Sequence, residues 1–153
     1  MIFTTVREFL NSQKPLKGEF LGVDVGAKKT GIGATVGGRK FSVPSSVIYE
    51  TSGELLAQKL KQAMEERDCN YCVLGFPFAW EEEPSAKRIM RLARILSSIG
   101  VIVLLYDENR TSVRVKQTAF DDRGRMSKKE LQSYDAKVAS LILSNLLDEI
   151  NNF

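Results

Sequence analysis

From Phe20 to Val25 apolar side chains recur at every second position. Leu21, Val23 and Val25 fall on one face and Gly22 and Asp24 on the other, a period of two that predicts a strand carrying a carboxylate. Thr30 to Val36 and Lys40 to Tyr49 predict two further strands, joined at Gly37-Gly38, a pair that accepts the positive φ angles of a tight hairpin turn. Pro44 marks the second of these as an edge or interrupted strand, because proline gives no donor to a ladder. Ahead of this meander Val6, Phe9 and Leu10 recur at helical spacing within Thr4 to Asn11, and Pro15 stops any continuation.

Beyond Tyr49 the period lengthens. Ser52 stands where it can cap a helix whose apolar positions are Leu55, Leu56, Leu60, Ala63 and Met64. Tyr71 to Phe76 predicts a short apolar strand. From Ser85 to Gly100 the helical period returns, with Ile89, Leu92, Ala93 and Leu96 inward and Lys87, Arg91 and Arg94 on another side. Val101 to Tyr106 is a fully apolar strand, Thr111 to Phe120 a shorter helix and Asp121 to Met126 a mostly polar loop. Ser127-Lys128-Lys129-Glu130 has the form of a capping box opening the last helix. After the leading helix the order is βββαβαβαα. Parallel neighbours require crossover connections, so this order predicts an α/β fold: a mixed five-stranded sheet, antiparallel meander first and parallel strands after, flanked by helices. A chain of 153 residues without linker or repeat is expected to form a single domain over 1–153.

Composition narrows the function. The longest apolar run, Val101 to Tyr106, is far short of the roughly 20 residues of a membrane-spanning helix, and the first residues carry no export signal, so the expectation is a cytoplasmic protein with no membrane partner. There is no histidine, which removes Ser-His-Asp, Cys-His and histidine-metal chemistry and leaves carboxylates, lysine and tyrosine. Cys69 and Cys72 have the spacing of redox and zinc motifs, but one chain with two cysteines cannot close a four-ligand zinc site. They are expected as small buried residues where a helix hands over to a strand. The net charge of +3 is uneven: between Pro84 and Lys129 eleven Lys/Arg face four acids, so that segment carries +7 and the rest −4. Both a polyanion-binding face and ordinary solvated helix surfaces collect such charge.

Three acids stand where packing alone would not place them. Asp24 interrupts a strand of small and apolar residues, beside Gly22 and Gly26, where something could approach; the alternative is a strand-end aspartate turned to solvent. Asp135 shares the apolar stripe of the last helix with Val138, Ala139, Ile142 and Leu146 and needs a lysine, an arginine or a metal opposite it, unless it lies at the edge of the core. Glu108 follows an apolar strand, at the carboxyl end where open α/β sheets bind ligands, and is favoured over Asp107, which could cap a helix instead.

The segments around these acids resemble one family. Leu21 to Gly33, LGVDVGAKKTGIG, resembles the GIDxGxKRxGxA opening of the YqgF/RuvX family, and Val73-Leu74-Gly75-Phe76-Pro77 its VVGLP strand end. Tyr106 to Ser112 is similar to its YDERxTS segment and Tyr134 to Leu143 to its VDxxAAxxIL helix, in the same order. The resemblance implies an RNase H-like fold and cleavage of nucleic acid, described for the family as resolution of Holliday junctions or maturation of pre-16S rRNA, hence a possible association with the ribosome. It also implies that Asp24, Glu108 and Asp135 are catalytic metal ligands. The departures are Asn109 where the family has arginine, with Arg110 one place on, Lys29 for its second basic residue, and Val36 where an acid often closes strand two.

Three carboxylates brought together repel one another unless a cation neutralises them, and an oxygen-only set suits the hard ions Mg2+ or Mn2+. In a two-metal arrangement one ion helps generate the attacking hydroxide and the other stabilises the leaving oxygen. The expected phosphate contacts are Lys28, Lys29, Arg110, Arg114, Arg123, Arg125, Lys128 and Lys129, with Phe78 and Trp80 either stacking on a base or simply packing. A nucleic-acid or ribosome-associated binding module of the same fold, without turnover, is the alternative. An actin-like kinase would need about twice the length.

Overall fold

The computed structural model describes residues 1–107 and 128–153, the side chains of 128–133 excepted. Along the chain run β1 (Ile2–Phe3), α1 (Val6–Gln13), β2 (Glu19–Val25), β3 (Lys29–Val36), β4 (Phe41–Tyr49), α2 (Gly53–Glu66), β5 (Cys69–Phe76), α3 (Pro84–Ser98), β6 (Ile102–Asp107) and α4 (Lys128–Asn151). The expected helix at Thr111 to Phe120, the loop at Asp121 to Met126 and the cap Ser127 lie outside the described residues.

The sheet has six strands in the order β1-β6-β5-β2-β3-β4, one more than the sequence pattern predicts. The extra strand pairs Ile2 with Val103 and Phe3 with Leu104 in parallel at the edge. Two residues are too few to show alternation, so no periodicity could have announced it. The meander and the parallel half are as expected: β2–β3 and β3–β4 are antiparallel, and β2–β5 and β5–β6 parallel. β4 is the other edge, and its register slips by one residue at Pro44, which faces Gly33.

Local chemistry sets the element ends. The Thr5 hydroxyl accepts from the Glu8 N–H at 3.2 Å and the Ser52 hydroxyl from the Leu55 N–H at 3.3 Å, each satisfying a donor that has no partner within its helix. At the β3–β4 turn Gly37, Gly38 and Arg39 all take positive φ. The Glu19 carboxylate ties this turn down, accepting from the Gly38 and Arg39 N–H groups at 2.7 and 2.9 Å and from the Thr35 hydroxyl.

Two apolar layers cover the sheet. α2 and α3 bury Leu56, Leu60, Ile89, Leu92 and Leu96 against Leu21, Val23, Leu74 and Leu105. On the other face α1 and α4 bury Phe9, Leu10, Val138, Ile142, Leu143 and Leu146 against Phe20, Val73 and Leu104. Cys69 and Cys72 are buried free thiols at the start of β5, and burial pushes Cys69 up to about 11 and Cys72 higher still, so both are inert packing groups, as expected. Among the described residues no helix is long and apolar enough to cross a membrane.

Candidate active site

Asp24 is the penultimate residue of β2, and alternation turns it to the α4 side with Gly22. Its antiparallel partner on β3 is Gly31. A Cβ built on Gly31 would lie 2.0 Å from the Asp135 carbonyl oxygen and 2.6 Å from the Ala136 nitrogen. At Gly22 it would lie 2.7 Å from the Ala139 carbonyl oxygen, and at Gly33 2.8 Å from the Ser140 nitrogen. Helix α4 is thus seated backbone to backbone on three glycines of β2 and β3, closer than any side chain would permit. That seat puts Asp135 directly over the strand partner of Asp24.

The Asp135 side chain is 16% exposed, and Lys29 Nζ lies 3.3 Å from its Oδ2. The contact is an ion pair without hydrogen-bond geometry, so among the described residues this buried Oδ2 has no hydrogen-bond donor. Lys29 opens β3, two residues before Gly31 and on the same face, which is why its ammonium reaches Asp135 on α4. Tyr134, half-buried beside Asp135, has its phenol pushed up to about 12 by burial first and then by the charges of Asp24 and Asp135. The charges of both acids therefore act on one phenol, which keeps its proton at neutral pH.

Glu108 lies outside the described residues, and among those described no three acids or cysteines cluster. The strand that leads to it is placed. Val23 pairs with Leu74 and Gly75 with Tyr106, so one residue on from Val23 the α4 face carries Asp24, then Gly75, then Tyr106. At about 4.8 Å per strand, β6 runs roughly 10 Å from Asp24, with only a glycine between them at that level.

Of the expected phosphate contacts, Lys28 is exposed on the turn after Asp24, and Lys29 is engaged with Asp135. Lys128 and Lys129 lie in the first turn of α4 without described side chains, and Arg110, Arg114, Arg123 and Arg125 fall outside the described residues. Phe78 packs edge-on against Phe76 with ring centroids 4.8 Å apart, whereas Trp80 is exposed. Val36 ends β3 at the hairpin, seven residues from Lys29 or roughly 23 Å at strand rise, so its departure from the family pattern falls far from the acids. Sequence reasoning missed Tyr134 as a site residue and Lys29 as the cation opposite Asp135. The demand for such a cation was legible from the charge on an apolar stripe; its identity was not.

A family model described as "RuvX: Holliday junction resolvase" matches residues 18–149. A protein of Cereibacter sphaeroides named "Putative pre-16S rRNA nuclease" is 29% identical over 153 residues, covering 99% of this chain and 95% of that protein. One of the same name from Chlamydia muridarum is 32% identical over 146 residues, covering 91% of this chain and 97% of that protein. Among solved structures, T. thermophilus RuvC in complex with Holliday junction substrate superimposes with a TM-score of 0.56 at 12% identity, covering 88% of this chain and 96% of that one. A Thermus thermophilus RuvC structure matches with a TM-score of 0.51 at 14% identity, covering 87% and 96%. At such identities the likeness establishes the fold, which is the RuvC, RNase H-like one.

Proposed function

The chain belongs to the RuvX family of Holliday junction resolvases, and from that premise we propose that it is a divalent-metal-dependent endonuclease acting on structured nucleic acid in the cytoplasm, with Asp24, Glu108 and Asp135 as its metal ligands. The relatives' names point to pre-16S rRNA as substrate and the family description to Holliday junctions. The observation that carries the reading is the glycine seat, which lays Asp135 over the strand partner of Asp24.

The residues fit a hard cation. The buried Asp135 Oδ2 has no hydrogen-bond partner among the described residues, the half-buried Asp24 stands on β2 opposite the glycine that Asp135 covers, and every candidate ligand is a carboxylate oxygen. When bound, Mg2+ or Mn2+ supplies Lewis-acid polarisation of the phosphate and lowers the pKa of coordinated water. Lys29 compensates the charge of Asp135 and, being 41% exposed, can also reach a phosphate oxygen. Tyr134, held protonated, offers an O–H donor at the same place. Lys28 on the exposed turn is a phosphate contact that positions the strand without reading its sequence.

Incubation of the protein with a pre-16S rRNA fragment and with a four-way DNA junction, in Mg2+, in Mn2+ and in EDTA, tests this. Cleavage of either substrate that needs metal is expected. No cleavage of either, combined with a melting temperature indifferent to both metals, would leave a nucleic-acid-binding module without turnover.

A further inference from the structure

Helix α3 carries a feature that neither packing nor the carboxylate site uses. Its 15 residues hold Lys87, Arg88, Arg91 and Arg94 and no acid. Ala86, Ile89, Leu92, Ala93 and Leu96 are buried against the sheet, so Lys87, Arg91 and Arg94 stand exposed on the opposite side at helical spacing, with the half-buried Arg88 on the flank next to Arg91. Lys87 approaches Glu82 at 4.0 Å, while Arg88, Arg91 and Arg94 pair with no carboxylate among the described residues. Like charges one turn apart on a helix destabilise it, so folding alone gives no reason for the ridge.

The surroundings give it a direction. A groove of about 440 Å³ is lined by Arg91 and Arg94 together with Phe76, Phe78, Glu81 and Glu82. A smaller one of about 110 Å³ is lined by Arg88 and Arg91 with Val25, Gly26 and Ala27. Arg91 belongs to both, so the two grooves adjoin. The second ends at the turn that follows Asp24, where Lys28 is exposed. Its acid, Glu50, is already held by Lys59 at 3.1 Å and forms no ion pair with Arg88 or Arg91.

We propose that Arg88, Arg91 and Arg94 form a backbone-binding track for nucleic acid, which leads over the Gly26–Ala27 turn to the Asp24–Asp135 pair. The substrate would thus be gripped on the α3 side of the sheet as well as beside the carboxylates. The guanidinium groups suit phosphate because their planar forks bind its oxygens in pairs. This inference rests on the nuclease reading for its substrate class, but its test does not need cleavage.

Affinity for a fluorescein-labelled four-way DNA junction and for an RNA stem-loop is measured against salt in EDTA. The proteins are wild type, the triple variant R88Q/R91Q/R94Q and a control triple, K14Q/K17Q/K40Q, which removes the same charge from exposed sites at the opposite rim of the sheet. With roughly 0.7 to 0.9 of slope in log K against log salt per phosphate contact, the α3 triple is expected to lose about 2 to 2.7, and the control triple far less. If Arg88, which is partly buried, proves necessary for folding, the exposed pair R91Q/R94Q replaces the triple and is expected to lose about two thirds as much. Equal losses in the two triples would reduce the effect to net charge and overturn the track. So would an α3 variant that keeps the wild-type slope, as it would if the ridge served an acidic protein, or a wild type that binds neither probe. A wild type that cleaves nothing while the α3 variant loses its slope would sink the nuclease reading and leave the track standing.

Discussion

Lys29 illustrates how one residue can be placed correctly by its neighbourhood and still be given an incomplete role by sequence. It was legible as a cation beside the Asp24 motif and as a phosphate contact; the structure shows its ammonium against Asp135, more than 100 residues away in the chain. No local pattern encodes such a pairing. Removing it by Lys29→Met leaves the largely buried Asp135 carboxylate without its cation. Because the lysine is 41% exposed, the destabilisation is expected to be about 1 kcal/mol or less, a fall in melting temperature of at most roughly 2 to 4 °C for a chain of this size. Saturating Mn2+ is expected to restore most of that loss, since the ion supplies the missing charge. Thermal melts with and without Mn2+ check it; a variant whose deficit is the same in both would show that the metal does not sit at Asp135.

At the scale of elements, the site depends on how closely α4 lies on the sheet. Gly31 and Gly33 were legible only as part of a family motif, the small-residue face read beside Asp24 being Gly22 and Gly26. That they form the seat of the final helix was not legible, because the contact joins segments far apart in sequence. The carboxylates themselves were readable, Asp24 from its break in the strand pattern and Asp135 from its charge on an apolar stripe. Gly31→Ala puts a methyl group 2.0 Å from the Asp135 carbonyl oxygen, so the helix must move. Overpacking of this kind is expected to destabilise by about 1 to 3 kcal/mol and to lower cleavage further than the loss of folded protein explains, because Asp135 shifts with the helix. Denaturation curves beside single-turnover rates separate the two effects. Unchanged stability would mean that the helix is not seated there.

For the whole molecule, the candidate site lies at the carboxyl end of β2, and the hairpin that Glu19 ties down lies at the opposite rim. Strand types, helix faces and the α/β class were readable from periodicity; strand order and the short β1 were not, since both rest on pairing between distant segments. At the hairpin rim, burial pushes the Glu19 carboxyl up, but hydrogen bonds from Thr35, Gly38 and Arg39 together outweigh it and hold the group below its ordinary value of 4.5. A carboxyl with a depressed folded pKa contributes stability that is full above the unfolded pKa, near 4.5, and is lost as pH falls through the folded value. Glu19→Gln is therefore expected to lower the melting temperature at pH 7 and to flatten its decline below pH 4.5. Equal acid limbs in wild type and variant would remove Glu19 from the pH dependence.

The measurement that bears most directly on the central claim compares wild type, Asp24→Asn and Asp135→Asn for cleavage of a pre-16S rRNA fragment and a four-way junction in Mg2+ or Mn2+, with binding of the same substrates followed in EDTA. Each substitution keeps the side chain's size and removes the charge that would hold the ion. Cleavage is expected to fall by at least two to three orders of magnitude in both variants, with folding and substrate binding retained. Variants that cleave as fast as wild type would contradict the assignment and place the chemistry elsewhere in the molecule.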